Sequence, residues 1–172
     1  LLAFCNLMIT AGNETTTNLI SAGMMYLLRD PVQLEEVRRD RALIANAVEE
    51  ALRCETPVSG MWRVATRDIE FGGVKLPKGS MIMRRYASAN RDEEVFDDPE
   101  RFDIGRAENP HLAFGGGTHM CLGAHLARME AQEALGALAT RTKVVERTTA
   151  GVELGPPLFR VPARLPVRLG PA

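Results

Sequence analysis

Cys121 stands at the end of a loop that glycine shapes, Ala113-Phe114-Gly115-Gly116-Gly117-Thr118-His119-Met120-Cys121-Leu122-Gly123. Three consecutive glycines permit positive φ and let the backbone approach another body closely, at an entropic cost that a mere connector need not bear. Something flat or bulky is therefore expected against them. From Leu122 onward, Leu122, Leu126, Met129, Leu135 and Leu138 recur at helical spacing. This places Cys121 at a helix N-terminus, where unpaired N–H groups and the positive end of the helix dipole favour a thiolate. The thiolate is the form of cysteine that binds metals or attacks electrophiles.

Other chemistries for the loop fit less well. A phosphate loop needs Gly-Lys-Ser/Thr after its glycines, and a dinucleotide fingerprint needs a third spaced glycine; neither is present. His119, Cys121 and His125 have no common zinc spacing and no evident fourth ligand. A lone cysteine beside a helix is often just a small buried hydrophobe.

Two further groupings carry polar chemistry. In Ala11-Gly12-Asn13-Glu14-Thr15-Thr16-Thr17, a glycine, an acid and three threonines interrupt an otherwise apolar helix over residues 1–28. Threonine hydroxyls bonding to earlier carbonyls would bend it, so a kink or groove is expected there. Glu50 and Arg53 stand one turn apart on a helix over Leu43–Cys54; an exposed pair at that spacing contributes only about 0.2–0.5 kcal/mol.

The run Phe114-x-x-Gly117-x-x-x-Cys121-x-Gly123, with His111-Leu112 before it and Leu126-Ala127-Arg128 after, resembles the haem-binding loop of the cytochrome P-450 family, in its soluble bacterial form. The resemblance implies a mainly α fold with small β-sheets, of which this chain is the C-terminal part: the central long helix, the Glu-x-x-Arg helix, the haem-loop helix and β hairpins. It implies haem b held by the Cys121 thiolate, the ligation that distinguishes this family. Ala11, Gly12, Arg63, Phe114, Gly115, His119 and Gly123 would line the cofactor, with Arg63 and His119 on its propionates.

Glu14 and Thr15 match the acid–threonine pair that handles protons. Glu50, Arg53 and Arg101, from Pro99-Glu100-Arg101-Phe102, match a buried structural network. Val58, Ser59, Gly60, Met61 and Phe159 would edge the substrate cavity. The implied partners are dioxygen, a small apolar organic substrate and a ferredoxin or flavin-type electron donor, with Arg128 a candidate contact for the donor. Cys54, in place of a frequent aromatic, and Val161-Pro162, in place of a common glycine, depart from the pattern and bear on substrate shape. A peroxide-using or reductase-type enzyme on the same scaffold, or a truncated non-catalytic fragment, are the rival readings.

The elements that must position these residues follow from composition and order. The chain has 172 residues. A domain of about 150 residues buries roughly 70% of its unfolded surface, so one domain is expected, here a partial one over 1–172. Hydrophobic residues at 45% and charged residues at 25% are ordinary for a globular protein. A net charge of −1 supplies no field for nucleic acid or an anionic membrane. Three widely spaced cysteines argue against a disulfide framework and for a reducing, cytoplasmic setting.

Leu1 opens the chain inside a helical pattern, which reads as a fragment whose earlier helical region lies elsewhere. That first helix is expected to be buried and not membrane-crossing, because Asn6, Asn13, Glu14 and Asn18 interrupt it. Arg29-Asp30-Pro31 should stop it. Next come a short helix through Val37, with Arg38, Arg39 and Arg41 solvated beyond it, and the Glu50 helix. Strands at Ile69–Phe71, Val74–Leu76 and Ser80–Ala87 turn at glycines. The last helix should end near Thr140, followed by strands over Val144–Leu154 and Leu165–Leu169 about a turn at Pro156–Phe159.

Overall fold

The computed structural model describes residues 1–147, 152–155, 158 and 162–171. Five helices are described: α1 (Leu2–Arg29), α2 (Pro31–Arg39), α3 (Leu43–Cys54), the single turn α4 (Tyr86–Ala89) and α5 (Ala124–Arg141). Asp30 ends α1 and caps α2, accepting from the N–H groups of Val32 and Gln33. Pro31 at the first position of α2 needs no N–H partner.

The core lies where the C-terminal half of α1 meets α2, α3 and α5. It is built from Leu19, Met24 and Leu27, Leu34 and Val37, Ala47, Val48, Ala51 and Leu52, and Ala131 and Leu135, with Phe102 and Ile104 closing it from the loop. Gly23 sets the approach of α1 to α5. A Cβ there would stand 2.7 Å from Leu135 Cδ1.

The described strands form four antiparallel pairs, nested two by two. Between β1 (Met61–Val64) and its partner β4 (Met81–Arg84) lies the hairpin β2 (Ile69–Phe71) and β3 (Val74–Leu76), turned at Gly72 and Gly73, which have φ of 55° and 75°. Likewise β5 (Thr142–Arg147) pairs β8 (Val167–Pro171) around β6 (Glu153–Leu154) and β7 (Pro162–Arg164). Of the strand expected from Val144 to Leu154, the described parts are β5 and β6, which pair with different partners; residues 148–151 lie outside the described residues.

Several expectations are corrected. Of the kink or groove expected in α1, the groove is present, lined by Asn13, Glu14 and Thr17, while the helix itself stays unbroken although Thr15 and Thr17 donate to the carbonyls of Ala11 and Asn13, each four residues back. Its first half is not buried in this chain: Leu1, Leu2, Phe4, Leu7, Met8 and Ile9 are all exposed. β4 ends at Arg84, three residues short of Ala87, because Tyr86 turns inward, only 8% exposed, and starts α4. α5 begins at Ala124 with Gly123 as its cap, so Leu122 precedes the helix and is 83% exposed. Arg38 is not simply solvated, since its Nε donates to the carbonyl of Ala139 in α5.

Candidate functional site

Behind the cysteine loop lies a polar hub with no solvent access. Glu50, Arg53 and Asn90 are each 0% exposed. Such groups are tolerable only when fully partnered. Arg53 Nε and Nη2 grip the two carboxylate oxygens of Glu50 at 2.8 and 2.7 Å. Its remaining N–H groups reach the carbonyls of Asn90 (3.0 Å), Pro99 (2.6 Å) and Arg101 (2.8 Å). Glu50 also accepts from the Asp103 N–H, Arg106 Nε and Asn109 Nδ2 at 3.0, 3.2 and 3.0 Å.

This arrangement corrects one expected member. The Arg101 side chain is 64% exposed and lies 3.9 Å from Asp103, so Arg101 joins the hub only through its carbonyl. The second guanidinium beside Glu50 belongs to Arg106. Asn90 extends the hub toward the loop: Nδ2 donates to Thr56 Oγ1, and Oδ1 accepts the Leu112 N–H at 2.7 Å.

A second anchor uses the neighbouring acid. Glu49 receives Arg128 Nε and Nη2 at 2.7 and 2.9 Å, and His111 Nε2 lies 3.0 Å from it. Nδ1 of His111 accepts the Ala113 N–H, which leaves the proton on Nε2 to be donated to Glu49. Burial opposes ionisation of Glu49, but these hydrogen bonds and the Arg128 charge outweigh it and hold its carboxyl down at about 2. Arg128 in turn lies over the ring of Phe114, Cζ 4.6 Å from the centroid. Its charge is thus already paired within the chain, which removes the simplest reason for reading it as an electron-donor contact.

Together these anchors fix the base of the cysteine loop. The Phe114 carbonyl accepts the Cys121 N–H at 2.9 Å, and the Cys121 carbonyl accepts the Ala124 N–H at 3.3 Å. Gly115 and Gly117 both have φ of 69°, a left-handed conformation that side chains disfavour. A Cβ on Gly116, Gly117 or Gly123 would meet nothing within 4 Å, so packing within the chain does not explain the glycines there. Cys121 and His119 are exposed, as are the apolar Leu112, Met120 and Leu122.

An exposed sulfur on a rigid, glycine-lined, partly apolar rim fits a flat ligand that brings its own remaining metal donors. Of the other cysteines, Cys54 is buried, and burial pushes its thiol up to about 12. Cys5 lies in the exposed first turn of α1.

The remaining expected residues are placed as follows. Arg63, on β1, donates to the Trp62 carbonyl and shares no described hydrogen bond with His119. Ser59 is buried, its N–H donating to the Leu158 carbonyl and its carbonyl accepting from Ala87. Gly60 is required by contact, because a Cβ there would stand 2.5 Å from the Arg84 carbonyl oxygen. Val58 is half-buried beside them and Met61 opens β1. Phe159 lies outside the described residues.

On α1, an open groove is lined by Ile9, Thr10, Asn13, Glu14, Thr17 and Asn18. Glu14 lines it and Thr15 does not, and Ala11 and Gly12 are exposed next to it. Glu49, Asn90, Arg106 and His111 were not anticipated as supports. For Glu49 a signal existed, an acid adjoining Glu50, but its partners lie 62 and 79 residues away.

The described helices and paired hairpins surround a cysteine loop braced by a Glu-x-x-Arg hub, and comparison with known proteins places that arrangement in a family. The profile of the family described as Cytochrome P450 matches residues 1–149, and the chain belongs to that family. Cytochrome P450 109 of Bacillus spizizenii is 47% identical over 173 residues, an alignment covering 98% of this chain and 42% of that protein.

Among solved structures, P450BioI in complex with hexadec-9Z-enoic acid ligated acyl carrier protein is 43% identical with a TM-score of 0.92, over 96% of this chain and 43% of that one. CYP109E1 from Bacillus megaterium, in complex with corticosterone, is 39% identical with a TM-score of 0.91, over 96% and 45%. The chain thus spans about two fifths of the length of such relatives. No helix among the described residues is long and apolar enough to cross a membrane.

Proposed function

We infer that these residues form the haem-binding portion of a monooxygenase acting on small apolar organic substrates, with electrons from a ferredoxin or flavin-type donor in the cytoplasm. The observation that carries this reading is the exposed Cys121 sulfur on a glycine loop whose base is fixed from behind by Glu50–Arg53 and Glu49–Arg128. Bound there on a cysteine thiolate, haem b supplies activation of dioxygen, one atom going into a C–H bond and the other to water.

The chain's own residues then have separate tasks. Cys121 would hold the iron, Phe114 and Gly115 would shape the floor, and Arg63 and His119 would donate hydrogen bonds to the cofactor's carboxylates. Val58, Ser59, Gly60 and Met61 edge the substrate side. Glu14, exposed on its groove, takes protons from solvent. The Thr15 hydroxyl donates to the Ala11 carbonyl at 2.8 Å, which leaves its lone pairs to hold a water.

The test is the reduced, carbon monoxide-bound spectrum of the haem-loaded protein at full family length. A red-shifted thiolate Soret band is expected, lost in Cys121→Ser; its retention in that variant assigns the ligand elsewhere. Thr15→Ala should keep the band but form less product per NAD(P)H, and an unchanged ratio removes Thr15 from the proton path.

One observation favours a second reading, that these 172 residues alone do not retain haem: Leu2, Phe4, Leu7 and Ile9 are exposed along one arm. Loading the 172-residue chain by itself decides between them.

A further inference from the structure

On β1 and β4, Met61 pairs with Arg84 and Arg63 with Ile82. Directly opposed residues and those two apart share a face of an antiparallel pair. Arg63 and Arg84 therefore lie diagonally on one face, roughly 7–8 Å apart at their Cα atoms, with Met61 and Ile82 between them. Like charges at that spacing repel, and arginine cannot relieve the repulsion by losing its proton.

Among the described residues neither guanidinium has a carboxylate within salt-bridge distance, whereas Arg53, Arg106 and Arg128 all do. Arg84 Nη2 donates to Tyr86 Oη at 2.7 Å, and Arg84 Nε is buried with no hydrogen-bond partner among those residues. A buried unpartnered donor on a charged group is costly, and its presence calls for an acceptor. Tyr86 Oη in turn abuts the cysteine loop, 3.4 Å from where a Gly115 Cβ would stand.

We propose that Arg84, oriented by Tyr86, joins Arg63 in binding the carboxylate of a largely apolar ligand lying against the cysteine loop. The apolar residues alternating with the arginines match the body of such a ligand, and the paired guanidiniums match its head. Arg84 is absent from the residues that the family resemblance implies. The carboxylate is either one of the cofactor's own, an assignment that rests on the haem reading above, or that of an acidic substrate.

The experiment uses the protein at full family length with Arg84→Met, and with Arg84→Lys as a variant that keeps the charge without the fork. Release of haem is compared with release of haem dimethyl ester, and binding of dodecanoate is compared with binding of dodecanol by calorimetry. If the cofactor supplies the carboxylate, Arg84→Met speeds haem release about tenfold or more and leaves release of the ester unchanged. If a substrate supplies it, haem release is unaffected and dodecanoate weakens about tenfold while dodecanol does not.

Either result supports the site. Equal effects on the acid and its neutral counterpart in both comparisons overturn it. Should Arg84→Met not fold, the same comparisons in Arg84→Lys decide. A parent protein that takes up no haem overturns the proposed function, and the dodecanoate comparison, which needs no haem, still decides the site.

Discussion

The hub around Glu50 and the rim around Cys121 meet at the hydrogen bond from the Leu112 N–H to Asn90, yet they are built on opposite principles. In the hub, all five N–H groups of Arg53 meet a protein oxygen, and Glu50 accepts from four residues. On the rim, Cys121 and His119 are open, and among the described residues Arg63 hydrogen-bonds its neighbour's carbonyl alone and Arg84 Nε has no partner. Buried polar groups left unpaired cost stability, so a fold completes such a set wherever nothing else will arrive. The rim's open groups are those that the proposed cofactor would meet.

The largest effect expected from breaking this contrast is in Arg53→Ala. It strands a buried carboxylate and should cost about 3–5 kcal/mol in denaturant unfolding, with loss of soluble protein. A well-folded Arg53→Ala protein would mean that the hub is dispensable. Next come Arg106 and Arg101, which the family pattern and the geometry rank in opposite order. Arg106→Ala removes a charged hydrogen bond to Glu50 and should cost about 1.5–3 kcal/mol, whereas Arg101→Ala should stay within about 0.5 kcal/mol. Equal costs would return Arg101 to the hub.

Glu49 links hub side to rim side and gives a pH-dependent test. Its carboxyl titrates lower in the fold, at about 2, than in the unfolded chain, where 4.5 is the ordinary value. The stabilisation is therefore fully present above the unfolded value and is lost as pH falls from about 4.5 toward 2. Glu49→Gln should flatten the stability profile across that window, and an unchanged slope would mean that the Arg128 and His111 contacts do not persist in solution.

The smallest stability effect belongs to Gly116→Ala. Gly116 has an extended backbone, with φ of −165°, and open space at its Cβ position. Its melting temperature should hardly move, while haem uptake should fall; unaltered uptake would show that no body lies against that glycine.

How far the sequence alone could go follows the same division. The glycine loop and the existence of α5 were legible because they depend on local conformation and spacing, but the buried face of α5 was not: Leu126 and Met129 are exposed while Ala131, Leu135 and Ala139 are buried. Glu50 and Arg53 were legible as a pair one turn apart. The choice of Arg106 over Arg101 was not, since two arginines five residues apart in a loop carry the same chemistry, and only the chain path separates them. The apolar first half of α1 was legible as apolar but not as exposed, because hydropathy tells what a side chain avoids and not what covers it. The end of β4 was missed because Tyr86 turns inward to meet the loop through a contact with Gly115, distant in sequence.

The hub also has a consequence in time. Glu50 and Arg53 are three residues apart and pair as soon as α3 forms, but Asn109, the last partner of Glu50, follows 59 residues later. At 5–20 residues per second, synthesis reaches Asn109 roughly 3–12 s after Glu50. During that interval the apolar faces of α1 and α3 have no α5 to cover them. In water an ion pair at that spacing contributes only about 0.2–0.5 kcal/mol, so what the pair does for the fold begins when the later loop closes over it.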